Sequence, residues 1–215
     1  MHKEAFYTPQ TIDARAAGLL AELADYRREP RPVAPASTAL VVLDLQRCFT
    51  EPVSHAQVPG APVIISRINR LSAACSNVFL TRHLNTPEDA GMMGRWWSSL
   101  IRRADPLSEL DPRLETAGAR LIEKTQYDAF HRTELETRLR AANLETLVVC
   151  GVMTHLCVET TARAAFVRGF RVVVPVDAVA TYNAELQRAG LLTLAHGCAE
   201  LTTTAELLDR LRGES

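Results

Sequence analysis

No run of this sequence approaches the about 18 consecutive apolar residues that a membrane span requires. The opening segment MHKEAFYTPQTIDARAAGLL is too interrupted by charged and polar residues to read as a secretory signal. A disulfide framework is missing as well: five cysteines, an odd number without a C-x-x-C pair, point to thiols kept reduced inside a cell. Nor does charge of one sign predominate. With 24 Lys and Arg against 25 Asp and Glu, no basic excess is available for a nucleic-acid backbone or an anionic membrane surface. These absences leave a cytoplasmic protein with a small-molecule partner as the expectation, and neither internal repeats nor low-complexity segments argue otherwise.

What the chain does have is apolar content, 47% of 215 residues, enough for one sizeable core. Residues 38–215 are expected to form one domain, with residues 1–37 as an N-terminal helix and Pro-rich connector belonging to it. Ile12, Ala16, Leu19, Leu20 and Leu23 recur at helical spacing and predict an amphipathic helix over 11–27. The stretch REPRPVAPAS that follows carries three prolines and no periodicity, so it reads as an extended connector.

Beyond it, short runs rich in Val, Leu and Ile at 39–43, 78–81, 147–150 and 172–176 suit strands buried on both faces, and 120–122 is a weaker strand candidate. Helical patterns lie between them at 63–74, 133–142, 155–168 and 184–196. Such alternation predicts an α/β fold, a three-layer α/β/α arrangement around a doubly wound, mostly parallel sheet, because parallel neighbours need crossover connections. Ligands of such sheets bind at the carboxyl ends of the strands. Residues 85–113, with two Gly, three Pro, two Trp and two Met, are the least regular stretch and a candidate lid.

Three residues fall where an active site is expected: Asp44 after the first strand, Lys124 after the weak strand and Cys157 after the fourth. In CGVMTHLC the thiol lies near the start of a helix, whose amides favour negative charge, and a nearby ammonium would favour the thiolate further. Asp44 could take the thiol proton and pass it to a leaving group. Each residue has a plainer role open to it: a turn-forming Asp, a solvated Lys, a packed Cys. Spacing does not choose between these.

The surrounding strings do choose. ALVVLDLQRCF resembles the opening strand of the isochorismatase-like cysteine hydrolases, EKTQYDAFHRTELETRLR their lysine segment, and LETLVVCGVMTHLCVETTARAAFVRGFRVVVPVDAVATY their nucleophile segment. The resemblance runs in family order from about Ala39 onward. It implies the isochorismatase-like hydrolase fold, with Asp44 as acid and base, Lys124 as its electrostatic partner and Cys157 as nucleophile. It further implies a cis peptide between Val152 and Met153, with the amides of Met153 and Cys157 forming an oxyanion hole, and assembly as a homo-oligomer, a dimer or tetramer. Gly151 would serve close chain approach, or merely a tight turn.

Within the family, isochorismatases proper cleave a vinyl ether and carry a small residue where this chain has Cys157, whereas amide-cleaving members use the cysteine to form an acyl-enzyme. The thiol therefore favours hydrolysis of an amide, carbamoyl or cyclic amide bond. A vinyl ether hydrolase using Asp44 as acid is the alternative, since TPEDAGMMGRWW resembles the isochorismatase lid. A silent binding subunit is a third reading, opposed by the presence of all three residues. Nicotinamidases resemble one another in a metal site containing an Asp-x-His pair, which is absent between Glu51 and Ser76, where His55 stands alone. No metal and no cofactor are expected. His83, Trp96, Trp97, Tyr127 and His155 are the candidates for substrate contact, though both tryptophans could instead anchor the irregular segment. Cys150 is the rival nucleophile, and its place at a strand end predicts burial.

Overall fold

The computed structural model describes residues 2–213. Seven strands form one parallel sheet: β1 (Thr38–Leu43), β2 (Val78–His83), β3 (Arg120–Lys124), β4 (Thr146–Val152), β5 (Arg171–Pro175), β6 (Val179–Ala180) and β7 (Glu200–Thr202). Their order is β3-β2-β1-β4-β5-β7, with β6 beside the end of β4. Helices cover both sides, and the doubly wound fold expected from the alternation is the one observed. They are α1 (Ile12–Glu22), α2 (Arg47–Thr50), α3 (Ala61–Ala74), α4 (Met93–Trp96), α5 (Leu135–Ala141), α6 (Glu159–Val167), α7 (Ala184–Gly197) and α8 (Thr204–Arg212).

Every residue of β1, β2 and β4 is buried, as continuous apolar runs under helices on both faces require. The β3 run looked weak in the sequence because β3 is an edge strand, with Arg120, Leu121 and Glu123 exposed. Burying a single Leu or Val side chain contributes on the order of 1.5–3 kcal/mol, so the apolar registers of β1 against β4 also fix where their ends lie. Those two ends matter most. The chain winds outward from β1 through β2 to β3, then returns to the other side of β1 with β4, which makes the carboxyl ends of β1 and β4 the switch point where a crevice opens.

Several bounds differ from the sequence expectation for identifiable reasons. Helix α1 stops at Glu22, and Ala24–Tyr26 forms a separate tight 3-10 turn. The helix expected over 155–168 opens with one wide turn, Thr154–Val158, in which Val158 N donates to Met153 O at 3.2 Å, before α6 begins. Strand β5 ends at Pro175 because Val176–Ala178 turns, and Asp177 there accepts from the backbone and hydroxyl of Thr204 at the start of α8. Neither β6 nor α8 was foreseen. The N-terminal segment shares the core through Tyr7, Ile12, Leu19, Leu20 and Leu23, and the Tyr7 hydroxyl donates to Val176 O at 2.7 Å. Among the described residues, no helix is long and apolar enough to cross a membrane.

Candidate active site

Asp44, the residue after β1, adopts φ 53°, a left-handed conformation that Asp tolerates better than most residues. Its carboxylate is fully buried. Thr81 of β2 fixes it twice: the hydroxyl donates to Asp44 Oδ1 at 2.6 Å and accepts from Asp44 N at 3.1 Å. At the end of β4 the chain turns through Gly151, φ 107°, where an added Cβ would lie 2.2 Å from Leu43 O. Of the two roles open to Gly151, close chain approach is therefore the one observed. The Val152–Met153 peptide that follows is cis. Thr154 then donates to Gln187 Oε1 at 2.7 Å, and Gln187 Nε2 donates to Val179 O at 3.0 Å, which tie the wide turn carrying Cys157 to α7 and β6.

Lys124 closes β3 and reaches inward to join these parts. Its ammonium lies 2.8 Å from Asp44 Oδ2, 3.4 Å from Cys157 Sγ, 3.3 Å from His83 Nδ1 and 2.9 Å from Gln126 O. The two Asp44 oxygens face different partners, Oδ1 the Thr81 hydroxyl and Oδ2 the Lys124 ammonium. The structure thus brings together the three residues singled out from the sequence.

The electrostatics follow from burial opposed by charge. Burial, the largest single influence, would raise the Asp44 pKa, but the Lys124 charge, with hydrogen bonds from Lys124 and Thr81 beside it, holds the carboxyl below its ordinary range. For Lys124, burial would lower the pKa, and Asp44 with Cys157 more than offsets this, leaving it raised. At Cys157 burial wins: the thiol is pushed up to about 12 against the pull of Lys124. The resting cluster is carboxylate, ammonium and neutral thiol. Lys124 does favour the thiolate, as the sequence implies, but its pull is smaller than the effect of removing the sulfur from water, and the thiol proton is left for Asp44 to take.

His83 is brought down to about 4, by burial first and by Lys124 second, and is a neutral imidazole. Its Nδ1 faces the ammonium, so Nε2 carries the hydrogen toward Asn85 Oδ1 at 2.8 Å. Asp44, His83 and Cys157 have their ligating atoms within 4.8 Å of one another, which resembles a cation site. A metal ion does not fit it. Lys124 Nζ already stands among the same three groups as their cation, and both imidazole nitrogens are engaged.

A cavity of about 380 Å³ opens onto this cluster. Met153, Leu156 and Cys157 line it from the nucleophile turn, and Phe49, Met93, Trp97, Ile101, Tyr127 and Tyr182 make most of it apolar. Trp97 Nε1 donates to the Tyr127 hydroxyl at 2.7 Å, joining the irregular segment to the loop after β3. That segment is closed at its base by Asn85 N donating to Ile101 O at 2.8 Å, and held further on by Arg82, which donates to Ser108 O at 3.0 Å.

His83, Trp97 and Tyr127 line the cavity as the sequence reading expected. Trp96 and His155 do not. Trp96 is 75% exposed, since α4 turns Met93 and Trp97 inward, four residues apart, and leaves Trp96 on the solvent flank. His155 points out of the wide turn, its Nδ1 2.8 Å from the Thr181 hydroxyl. Thr81, Asn85, Gln187 and Lys3 were missed. Thr81 alone carried a signal, as a hydroxyl in an otherwise apolar run.

The geometry defines a doubly wound α/β protein with a buried carboxylate, ammonium and thiol at its switch point. Residues 38–206 match the model of the isochorismatase domain. Nicotinamidase 3 of Arabidopsis thaliana is 38% identical over 180 residues, covering 81% of this chain and 89% of that protein. N-carbamoylsarcosine amidase of Arthrobacter sp. is 30% identical, covering 66% of this chain and 58% of that one. The crystal structure of a cysteine hydrolase from Pseudomonas syringae pv. phaseolicola 1448A superposes with a TM-score of 0.81 at 31% identity, covering 86% of this chain and 97% of that one. The chain belongs to the isochorismatase family, and it is a hydrolase of the isochorismatase-like cysteine kind.

Proposed function

We propose that the protein hydrolyses a C–N bond of a small amide, carbamoyl compound or cyclic amide through a thioester on Cys157. The observation that carries this reading is that Cys157 both lines the cavity and contacts the Lys124 ammonium paired with Asp44. In the forward step Asp44 takes the Sγ proton as sulfur attacks the carbonyl carbon. The N–H groups of Met153 and Cys157 receive the oxyanion. Asp44 then protonates the leaving nitrogen, and the C–N bond breaks to give a thioester and an amine or ammonia. Water, losing a proton to Asp44, attacks the thioester; the acid departs and Cys157 regains its proton. Lys124 keeps Asp44 ionised between these transfers.

Two relatives, a nicotinamidase and an amidase, support C–N cleavage. The vinyl ether alternative needs Asp44 as a resting acid, whereas the Lys124 ammonium 2.8 Å away favours its carboxylate form. The single-domain expectation is retained on the N-terminal side chains in the common core. A homo-oligomer also remains part of the reading, with Phe166 and Val167 exposed as apolar surface for a second copy.

The test is ammonia release, or ring opening, across small amides, ureas and lactams, with isochorismate as a control. Activity that falls at least about 10³-fold in Cys157→Ala supports the thioester. Turnover of isochorismate that survives Cys157→Ala, with none of any amide, overturns it.

A further inference from the structure

The cavity wall includes one feature that the thioester chemistry does not use. Lys3, from the N-terminal arm, lines the same cavity as Cys157. Its ammonium donates to His55 O at 2.6 Å and lies 4.6 Å from the centre of the Tyr182 ring. Among the described residues it has no carboxylate partner. One of its three N–H groups is used, and two are left for a ligand. The arm is held in place on either side: Glu4 N donates to Tyr182 O at 2.8 Å, Asn183 Nδ2 donates to His2 O at 3.0 Å, and Ala184 N donates to Glu4 Oε1 at 2.6 Å. Lys3 is thus a positioned charge on a laced segment rather than a free tail.

The rest of the wall sharpens the point. Among the described residues, no Asp or Glu lines this cavity; its polar groups besides Lys3 are imidazoles, hydroxyls, an indole, an amide and the thiol. Lys124 is neutralised beneath the floor by Asp44. Among the described residues, the formal charge a substrate meets on the wall is therefore positive and has no carboxylate beside it. Burial lowers the Lys3 pKa, the direction expected for an ammonium with no anion beside it.

We infer that Lys3 is a specificity-determining residue, selecting amide substrates that carry a carboxylate away from the bond cleaved at Cys157. This rests on the proposed amide hydrolysis for its kinetic form, though not for its binding form. A substrate carboxylate would accept from the two free N–H groups while Met153, Leu156 and the aromatic wall hold the apolar body between the two ends. Cationic amides are rejected by the same charge.

The experiment compares a series of ω-carboxyl primary amides, oxamate to glutaramate, with their neutral methyl esters. Both kcat/KM and KM are read for wild type, Lys3→Gln, Lys3→Arg and Lys3→Glu. The expected result is a wild-type preference for at least one carboxylate over its ester, carried by KM. Lys3→Gln reduces that ratio about tenfold, the scale of one hydrogen bond to a charged group. Lys3→Arg keeps the ratio, and Lys3→Glu inverts it. A role limited to tying down the arm would lower both substrates together and leave the ratio fixed. In parallel, calorimetry on Cys157→Ala protein, with and without Lys3→Gln, measures binding of the same pairs, so Lys3 is tested even if no amide is turned over. A ratio within twofold of wild type in Lys3→Gln, or no preference for any carboxylate in either assay, overturns the inference. Loss of turnover with carboxylate binding intact would instead count against the thioester reading alone.

Discussion

Asp44, Lys124 and Cys157 stand at the ends of β1 and β3 and in a turn bonded to α7, whereas Trp97, Ile101 and the serines between them belong to a segment bonded to the sheet at its base and its far end. The first region is buried, ionic and cross-linked by short polar contacts. The second is apolar and half exposed, and joins the first through the Trp97–Tyr127 bond. Groups on strand ends are held by the register of a whole sheet, and groups on a loop are held by a few bonds. In such a division the floor sets the reaction, and the wall can vary to suit the substrate.

The largest effect that would sharpen the comparison comes from the floor. Lys124→Met leaves the Asp44 carboxylate buried without its cation, and breaking such a pair costs about 3–5 kcal/mol. Urea unfolding should show that loss, and kcat/KM on any amide substrate should fall by about 10³-fold. A variant of near wild-type stability would mean that the pair is far more solvated than its burial indicates.

A second test concerns the neutral thiol. With Cys157 at about 12, alkylation by iodoacetamide at pH 8 should be at least about tenfold slower than for an ordinary thiol and rise with pH without levelling below pH 10. A plateau near neutral pH would reveal a standing thiolate. The acid side has a definite sign. His83 has a folded pKa of about 4 against an ordinary 6.5, so the unfolded chain takes up its proton first, and stability is lost as pH falls through that interval. Asp44, also depressed when folded, adds to the loss at still lower pH. Thermal unfolding from pH 7 to pH 4 should show a falling Tm, and His83→Asn should flatten the upper part of that limb.

The smallest effect belongs to the wall. Trp97→Phe removes the bond to Tyr127 and should raise KM by about two- to fivefold with little change in kcat. Trp96→Phe, on the solvent flank, should leave both constants within error. Equal effects from the two would mean that α4 turns differently when substrate binds.

Much of the fold was legible because its signals are local. The runs of β1 and β4 are apolar throughout since both faces are covered, and Asp44 breaks the first at the point where the strand ends. Cys157 and Lys124 were legible through the strings around them rather than through spacing. The spacing of Met93 and Trp97 already separated Trp97 from Trp96, had α4 been recognised inside the irregular segment. Lys3 was illegible, because no pattern in MHKEAF tells that the arm crosses to Tyr182 and Asn183.

The alternation of strands and helices, and with it a mostly parallel doubly wound sheet, could be read along the chain, because periodicity and apolar runs are properties of neighbours in sequence, whereas the strand order that sets the switch point could not. Folding sets the rest: burial that raises the Cys157 thiol, the contacts of Lys124 with Asp44, Cys157 and His83, and the placement of Lys3 on the cavity wall with Trp96 and His155 away from it. Protonation state and access to a cavity depend on burial and on charges brought close from distant parts of the chain, and no local pattern encodes either.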